Sequence, residues 1–124
     1  MDTFNNHLNA LKAKFPDANL ERRPDGSAVI RIPNFPLPPG WSKTSTMVLF
    51  VVLSAYPQAK PDGFWADADL RLASGVLPAN STPNNNYGGV EQLLWFSWHA
   101  NSWNQNLDDF LTYAMVIRRR FLEA

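Results

Sequence analysis

Ser97 and His99 stand two residues apart in the stretch Trp95-Phe96-Ser97-Trp98-His99. In an extended strand, positions i and i+2 share a face, so this spacing offers a hydroxyl with an imidazole beside it. That is the minimum arrangement for nucleophilic catalysis at oxygen. A serine is a weak nucleophile until a neighbouring base takes its proton, a contribution of about 10²- to 10⁴-fold. A structural reading competes, in which Ser97 and His99 satisfy each other or the backbone inside a cluster of Trp95, Phe96, Trp98 and Trp103. Ser74, Ser81 and Ser102 are weaker candidates.

Other chemistry has little support. The chain has no cysteine, which excludes disulfides, thiolate metal sites and a thiol nucleophile. Its two histidines, His7 and His99, lie near opposite ends, with no His-x-x-x-His spacing or carboxylate cluster, so no metal site is expected. Asp62, Asp67 and Asp69 read as a solvated strand end. Gly88-Gly89 is not part of a phosphate-binding loop, and no cofactor is expected. Arg118 to Arg120 read as surface charge compensating a helix dipole.

The elements that must position these residues follow from periodicity. Phe4, Leu8, Leu11 and Phe15 form one helical stripe, ended by Pro16. Leu20–Arg23 and Ala28–Ile32 read as strands joined by the turn Pro24-Asp25-Gly26. Pro33–Gly40 carries four prolines and reads as a stiff, extended connection. Thr46–Leu53 is rich in β-branched and aliphatic residues and reads as the central strand, buried on both faces. A fourth strand is expected over Phe64–Leu72. Residues 73–91, with Asn80, Asn84, Asn85 and Asn86, show neither period and read as a long functional or mobile loop. A closing helix carries Leu107, Phe110, Leu111, Ala114, Ile117 and Phe121 on its apolar stripe. Asn106 is placed as its cap, with Asp108 and Asp109 in its first turn. Strands in a run between terminal helices predict an α+β fold: a four-stranded antiparallel meander sheet flanked by an N-terminal and a C-terminal helix.

Composition sets the class. The 124 residues suit one domain, and 45% hydrophobic content supplies a core that a disordered chain lacks. Eleven basic residues balance eleven acidic ones, so no global field attracts nucleic acid or an anionic membrane. The longest apolar run, Met47–Leu53, falls far short of the roughly 20 residues a spanning helix needs. Without a basic, then apolar, opening segment, the expected location is the cytoplasm.

Three motifs in this order of elements resemble the ubiquitin-conjugating (UBC) family, particularly its divergent bacterial branch. Tyr56-Pro57 followed by Pro61-Asp62-Gly63-Phe64 is similar to the family's Tyr-Pro-x-x-x-Pro turn into its fourth strand. Thr82-Pro83-Asn84 resembles its His-Pro-Asn tripeptide, with threonine for histidine. Trp103 resembles the tryptophan that precedes a helix in the family. The resemblance covers nearly all of residues 1–124 and implies a single UBC-like domain. Counting forward from Thr82 puts the usual cysteine near Gln92, and counting back from Trp103 puts it near Trp95. Neither is a cysteine, so the family's thioester cannot form.

The resemblance therefore implies a noncanonical conjugating-enzyme-like component of a bacterial ubiquitin-like conjugation pathway. Its partners would be a ubiquitin-like protein and an activating enzyme, with Lys12 and Lys14 on the first helix as candidate contacts to the latter. As a transferase it would form an oxyester on Ser97, with His99 as base and Asn84 hydrogen-bonding the oxyanion or orienting the acceptor. The alternative is a catalytically inactive UBC-like adaptor that binds the activating enzyme or the ubiquitin-like protein. A chain whose cysteine has been substituted, and an unrelated α+β binding domain, are two further readings.

Overall fold

The structure is a computed structural model that describes residues 3–87, 89, 91–100 and 102–123, and of His99 the backbone. Chain order is α1 (Thr3–Lys12), β1 (Asn19–Arg22), β2 (Ala28–Pro36), β3 (Ser45–Val52), β4 (Asp62–Ala66), β5 (Ser81–Asn85), β6 (Leu93–His99) and α2 (Phe110–Phe121). The six strands form one antiparallel sheet in the order β1-β2-β3-β4-β6-β5. The first four make the expected meander. The last two correct the four-stranded expectation: β5 lies inside the segment read as loop, and the aromatic stretch is itself a strand.

β5 escapes periodicity because Ser-Thr-Pro-Asn-Asn occupies an edge, where no residue is fully buried and a proline is tolerated. β6 then inserts between β4 and β5. β4 ends at Ala66 rather than Leu72; the chain turns at Asp67–Leu70, where the Leu70 N–H donates to the Asp67 carbonyl.

Both helices cover one face. Phe4 and Leu11 of α1 and Phe110, Tyr113, Ile117 and Phe121 of α2 pack on Ile30, Phe50, Phe64 and Phe96. Phe64 and Phe96 stack with centroids 4.7 Å apart, and Phe121 sits edge-on to both. The opposite face carries a smaller cluster of Val29, Leu49 and Leu93 edged by Met47, Val51, Trp65 and Tyr87. β3 contributes to both clusters, as its continuous apolar pattern predicts.

The start of α2 moves from the expected place. Asp109, not Asn106, is its cap: the Asp109 carboxylate accepts from the Thr112 N–H at 2.9 Å, and the Thr112 hydroxyl accepts from the Asp109 N–H at 3.1 Å. Asp108 instead accepts from the Asn104 N–H, closing the preceding turn. Leu107 falls outside the helix and is exposed.

Loop contacts lock the layers. The Trp41 indole N–H donates to the Phe121 carbonyl at 2.8 Å, joining the proline-rich connection to the end of α2. Among the described residues, no helix is long and apolar enough to cross a membrane.

α1 is fastened by a polar contact in an aromatic setting. His7 Nδ1 lies 2.6 Å from the buried Tyr56 hydroxyl, and the imidazole meets Phe110 edge-on. Burial lowers the His7 pKa from its ordinary 6.5, with Asp109 pulling the other way. The native state therefore holds this proton less tightly than the unfolded chain does. Its stabilising contribution is complete above about pH 6.5 and declines as pH falls from there through the lower native value. Urea midpoints should accordingly fall more steeply with acidification from about pH 7 to 5.5 in the natural chain than in His7→Gln; parallel slopes would refute the linkage.

Candidate functional site

Ser97 and His99 both fall in β6, in the extended segment their pairing requires. Alternation sends Leu94, Phe96 and Trp98 toward the helices, where all three join the main core. Ser97 lies on the opposite face with Leu93 and Trp95, and is exposed. Its backbone N–H donates to the Asn80 carbonyl at 2.8 Å, extending the β5–β6 pairing by one step. The His99 side chain lies outside the described residues. Among those described, no side chain hydrogen-bonds the Ser97 hydroxyl.

Asn84 sits elsewhere. A bulge between Thr82 and Asn85 puts it on the sheet edge, exposed and with φ of 55°. Asn85 pairs with Leu93, which at about 3.4 Å per residue is roughly 14 Å from Ser97 along β6, and Asn84 lies in the bulge between that pair and Thr82↔Trp95. The register brings Ser97 and His99 into one strand and leaves Asn84 apart from them. Its neighbour Asn85 makes the structural contact there, accepting from the Trp65 indole at 2.9 Å. Gln92 is exposed just ahead of β6, and Trp95 packs its ring against Trp65. Lys12 and Lys14 are exposed at and just beyond the end of α1.

Two of the three sequence motifs meet in space. The Trp103 indole donates to the Pro57 carbonyl at 2.8 Å, and its ring lies 6.1 Å from that of Tyr56. The Tyr56–Pro57 peptide is cis. The segment following β6 is thereby tied to the turn that precedes β4.

Three groups below and beside β6 were not read as site residues in the sequence, and the buried Arg120 corrects the reading of Arg118 to Arg120 as surface charge. The buried Tyr113 hydroxyl lies 2.9 Å from the Gly63 carbonyl and 3.0 Å from that of Trp98, so α2 is pinned to β4 and β6 at once. Burial raises its pKa, which keeps it a neutral donor. Gly63 has φ of 84°, and a Cβ there would lie 2.7 Å from the Trp95 indole nitrogen and 3.0 Å from the Phe96 carbonyl. That position requires glycine both in conformation and in space.

Arg120 is only 3% exposed, its guanidinium over the rings of Phe96, Trp98 and Trp41. It donates to the Ala79 carbonyl at 2.8 Å, fastening the approach to β5, while its Nε has no partner among the described residues. Burial lowers its pKa, opposed by Glu123. The signal was present in the sequence: Arg120 follows Tyr113 by seven and Ile117 by three, on the buried stripe, whereas Arg118 and Arg119 do not.

The third group is Tyr87, held over the outer face. Its hydroxyl accepts from Arg31 at 2.6 Å, its carbonyl accepts from Arg23 at 3.0 Å, and its ring lies against Trp65. The β5–β6 turn is thus laid down beside the face that carries Ser97.

A two-layer α+β structure, a Tyr-Pro turn clasped by a tryptophan, and an exposed serine in β6 set the context for the family comparison. The model of prokaryotic E2 family E matches residues 8–124. The chain belongs to that family. No curated protein and no solved structure matches it. The E2 relationship carries the general part of the expectation, a conjugating-enzyme-like fold in a prokaryotic setting, here without the cysteine.

Tyr113 gives a direct test of how the strand is held. Tyr113→Phe leaves two buried carbonyls short of a donor and should lower unfolding free energy by about 1–3 kcal/mol. Chemical denaturation measures it; an unchanged midpoint would mean that the hydroxyl contributes nothing to seating β6.

Proposed function

We infer that this chain acts at the E2 position of a prokaryotic ubiquitin-like conjugation pathway, with Ser97 as acceptor. The observation that carries the reading is the exposed hydroxyl of Ser97 on a strand whose backbone is fixed on both sides, in an E2-family chain with no cysteine. In the first step Ser97 Oγ attacks the activated C-terminal acyl carbon of a ubiquitin-like protein presented by an activating enzyme. The Oγ–C bond forms, the bond to the activating enzyme's leaving group breaks, and the hydroxyl proton passes to the His99 imidazole. An amine then attacks the ester carbonyl carbon, the C–N bond forms as the Oγ–C bond breaks, the departing Ser97 oxygen takes the proton held on His99, and the amine gives up its own proton to the imidazole so freed.

Strand pairing supports this reading through preorganisation. Little backbone motion is left for the nucleophile to lose on reaching its reacting geometry. Asn84, on the edge strand several residues along from Ser97, suits the second of its two proposed roles, orienting the acceptor, better than hydrogen-bonding the oxyanion. Lys12 and Lys14 remain the proposed contacts for the activating enzyme, and the pathway is placed in the cytoplasm.

A second reading has an observation of its own. No described side chain hydrogen-bonds the Ser97 hydroxyl, so the scaffold also suits an adaptor that binds the same partners without acylation. Incubation with the cognate activating enzyme, ATP and the ubiquitin-like protein separates the two. The transfer reading expects an adduct that resists thiols, is cleaved by mild hydroxide and disappears in Ser97→Ala. An adduct that survives Ser97→Ala would move the chemistry to another residue, and a complex with no adduct would establish the adaptor.

A further inference from the structure

A second candidate binding site lies at the other end of the molecule from the Tyr-Pro turn. The chain leaves α1 through Phe15-Pro16-Asp17 and passes the bulge in β2 at Pro33-Asn34, where the ladder with β3 skips from Ile32↔Val48 to Phe35↔Thr46. Between these segments and the last turn of α2 opens a pocket of about 410 Å³. That volume falls in the ordinary range for ligand sites.

Its floor is apolar and rigid. Phe15 stacks on Phe35 with centroids 5.2 Å apart and planes 14° from parallel. Pro16, Pro33 and Pro36 supply further wall and present no backbone N–H. Its rim is predominantly cationic: Lys14 and Arg118 are both exposed and face Asp17 as the only acidic residue among those lining the pocket. Neither cation has an ion pair among the described residues, whereas Arg31 and Lys43 each bridge two carboxylates or more than one acidic neighbour on the sheet side.

We propose that this pocket binds an acidic peptide segment of a partner protein, an aromatic or aliphatic side chain resting on Phe15, which the buried Phe35 backs, and on the surrounding prolines while flanking carboxylates meet Lys14 and Arg118. Charge complementarity selects this occupant. Two cations against one acid leave the lining net positive, which complements a short stretch of carboxylates, while the chain's balance of eleven basic and eleven acidic residues provides no broad basic surface for a duplex or a bilayer. The apolar floor requires a side chain as well as a charge, which a simple anion lacks. The proposal goes beyond the transfer reading and holds whether or not Ser97 is acylated.

Isothermal titration of the full chain with the acetylated, amidated pentapeptide Asp-Glu-Phe-Asp-Glu tests it. Saturable one-to-one binding is expected, weakened about fivefold by Lys14→Ala and by Arg118→Ala, and by added salt. Replacing the peptide's Phe by Ala should also weaken it. Arg119→Ala, one position along α2 and outside the pocket, should bind like the natural chain. All three side chains are exposed, and circular dichroism confirms that each variant folds. Absence of saturable binding, full retention of affinity in the Lys14→Ala/Arg118→Ala double variant, equal binding of a Lys-flanked peptide, or preference for a DNA duplex or an anionic vesicle would each overturn the proposal.

Discussion

A slip of β6 by one residue would exchange its two faces, sending Phe96 toward solvent and Ser97 into the aromatic core. Much of the rest of the molecule resists that exchange. β4 pairs with β6 on one side and β5 on the other, so neither edge of β6 is free. Phe96 is stacked on Phe64 and closed over by Phe121. Below them the Tyr113 hydroxyl reads the backbone itself, meeting carbonyls of β4 and β6 together. A hydrogen bond to backbone distinguishes register where hydrophobic packing alone accepts any apolar side chain of suitable size. Gly63 belongs to the same constraint, since the bulge it permits lets β4 pass Trp95 at a distance no side chain would allow.

The burial of Arg120 has a related logic. A cation removed from water requires partners, and three aromatic faces with two backbone carbonyls supply most of them. What results is a specific connection between the end of α2, the underside of β6 and Ala79 just ahead of β5. An edge strand of polar residues has little hydrophobic energy of its own to hold it in place. Anchoring its approach to a buried guanidinium, and its far end to Trp65 through Asn85, compensates for that weakness.

These features explain what could be read from the sequence and what could not. The α2 stripe, the doubly buried β3 and the Asp25-Gly26 turn were legible because each is written in local periodicity or turn chemistry. β5 was not, because an edge strand of Ser, Thr, Pro and Asn carries no hydrophobic period to detect. The start of α2 was read three positions early, at Asn106, because asparagine and aspartate cap a helix about equally well. Only the reciprocal bond with Thr112 selects Asp109. At the candidate site, the Ser97–His99 pairing was legible only on the condition that the segment is extended, which β6 supplies, while the place of Asn84 along the edge depends on pairing register. Arg120 was hidden by its setting in a run of three arginines, although its helical phase already placed it inward.

An E2-family scaffold without a thiol poses a chemical problem as well as a structural one. A cysteine is a few per cent thiolate near neutral pH and needs little help, whereas a serine hydroxyl requires proton removal in the same step that forms the bond. A rigid strand supplies position but no base, so the burden falls on the residues that flank Ser97. Its own face of the sheet carries Trp95, whose ring packs on Trp65, while Ser97 itself stays exposed. An ester is also a less reactive acyl donor than a thioester, so its transfer to an amine depends more heavily on how the acceptor is oriented. On the proposed transfer reading, the fold holds the Ser97 backbone still in an exposed position, and the chemical activation would come from His99, the proposed base, or from the partner that delivers the acyl group.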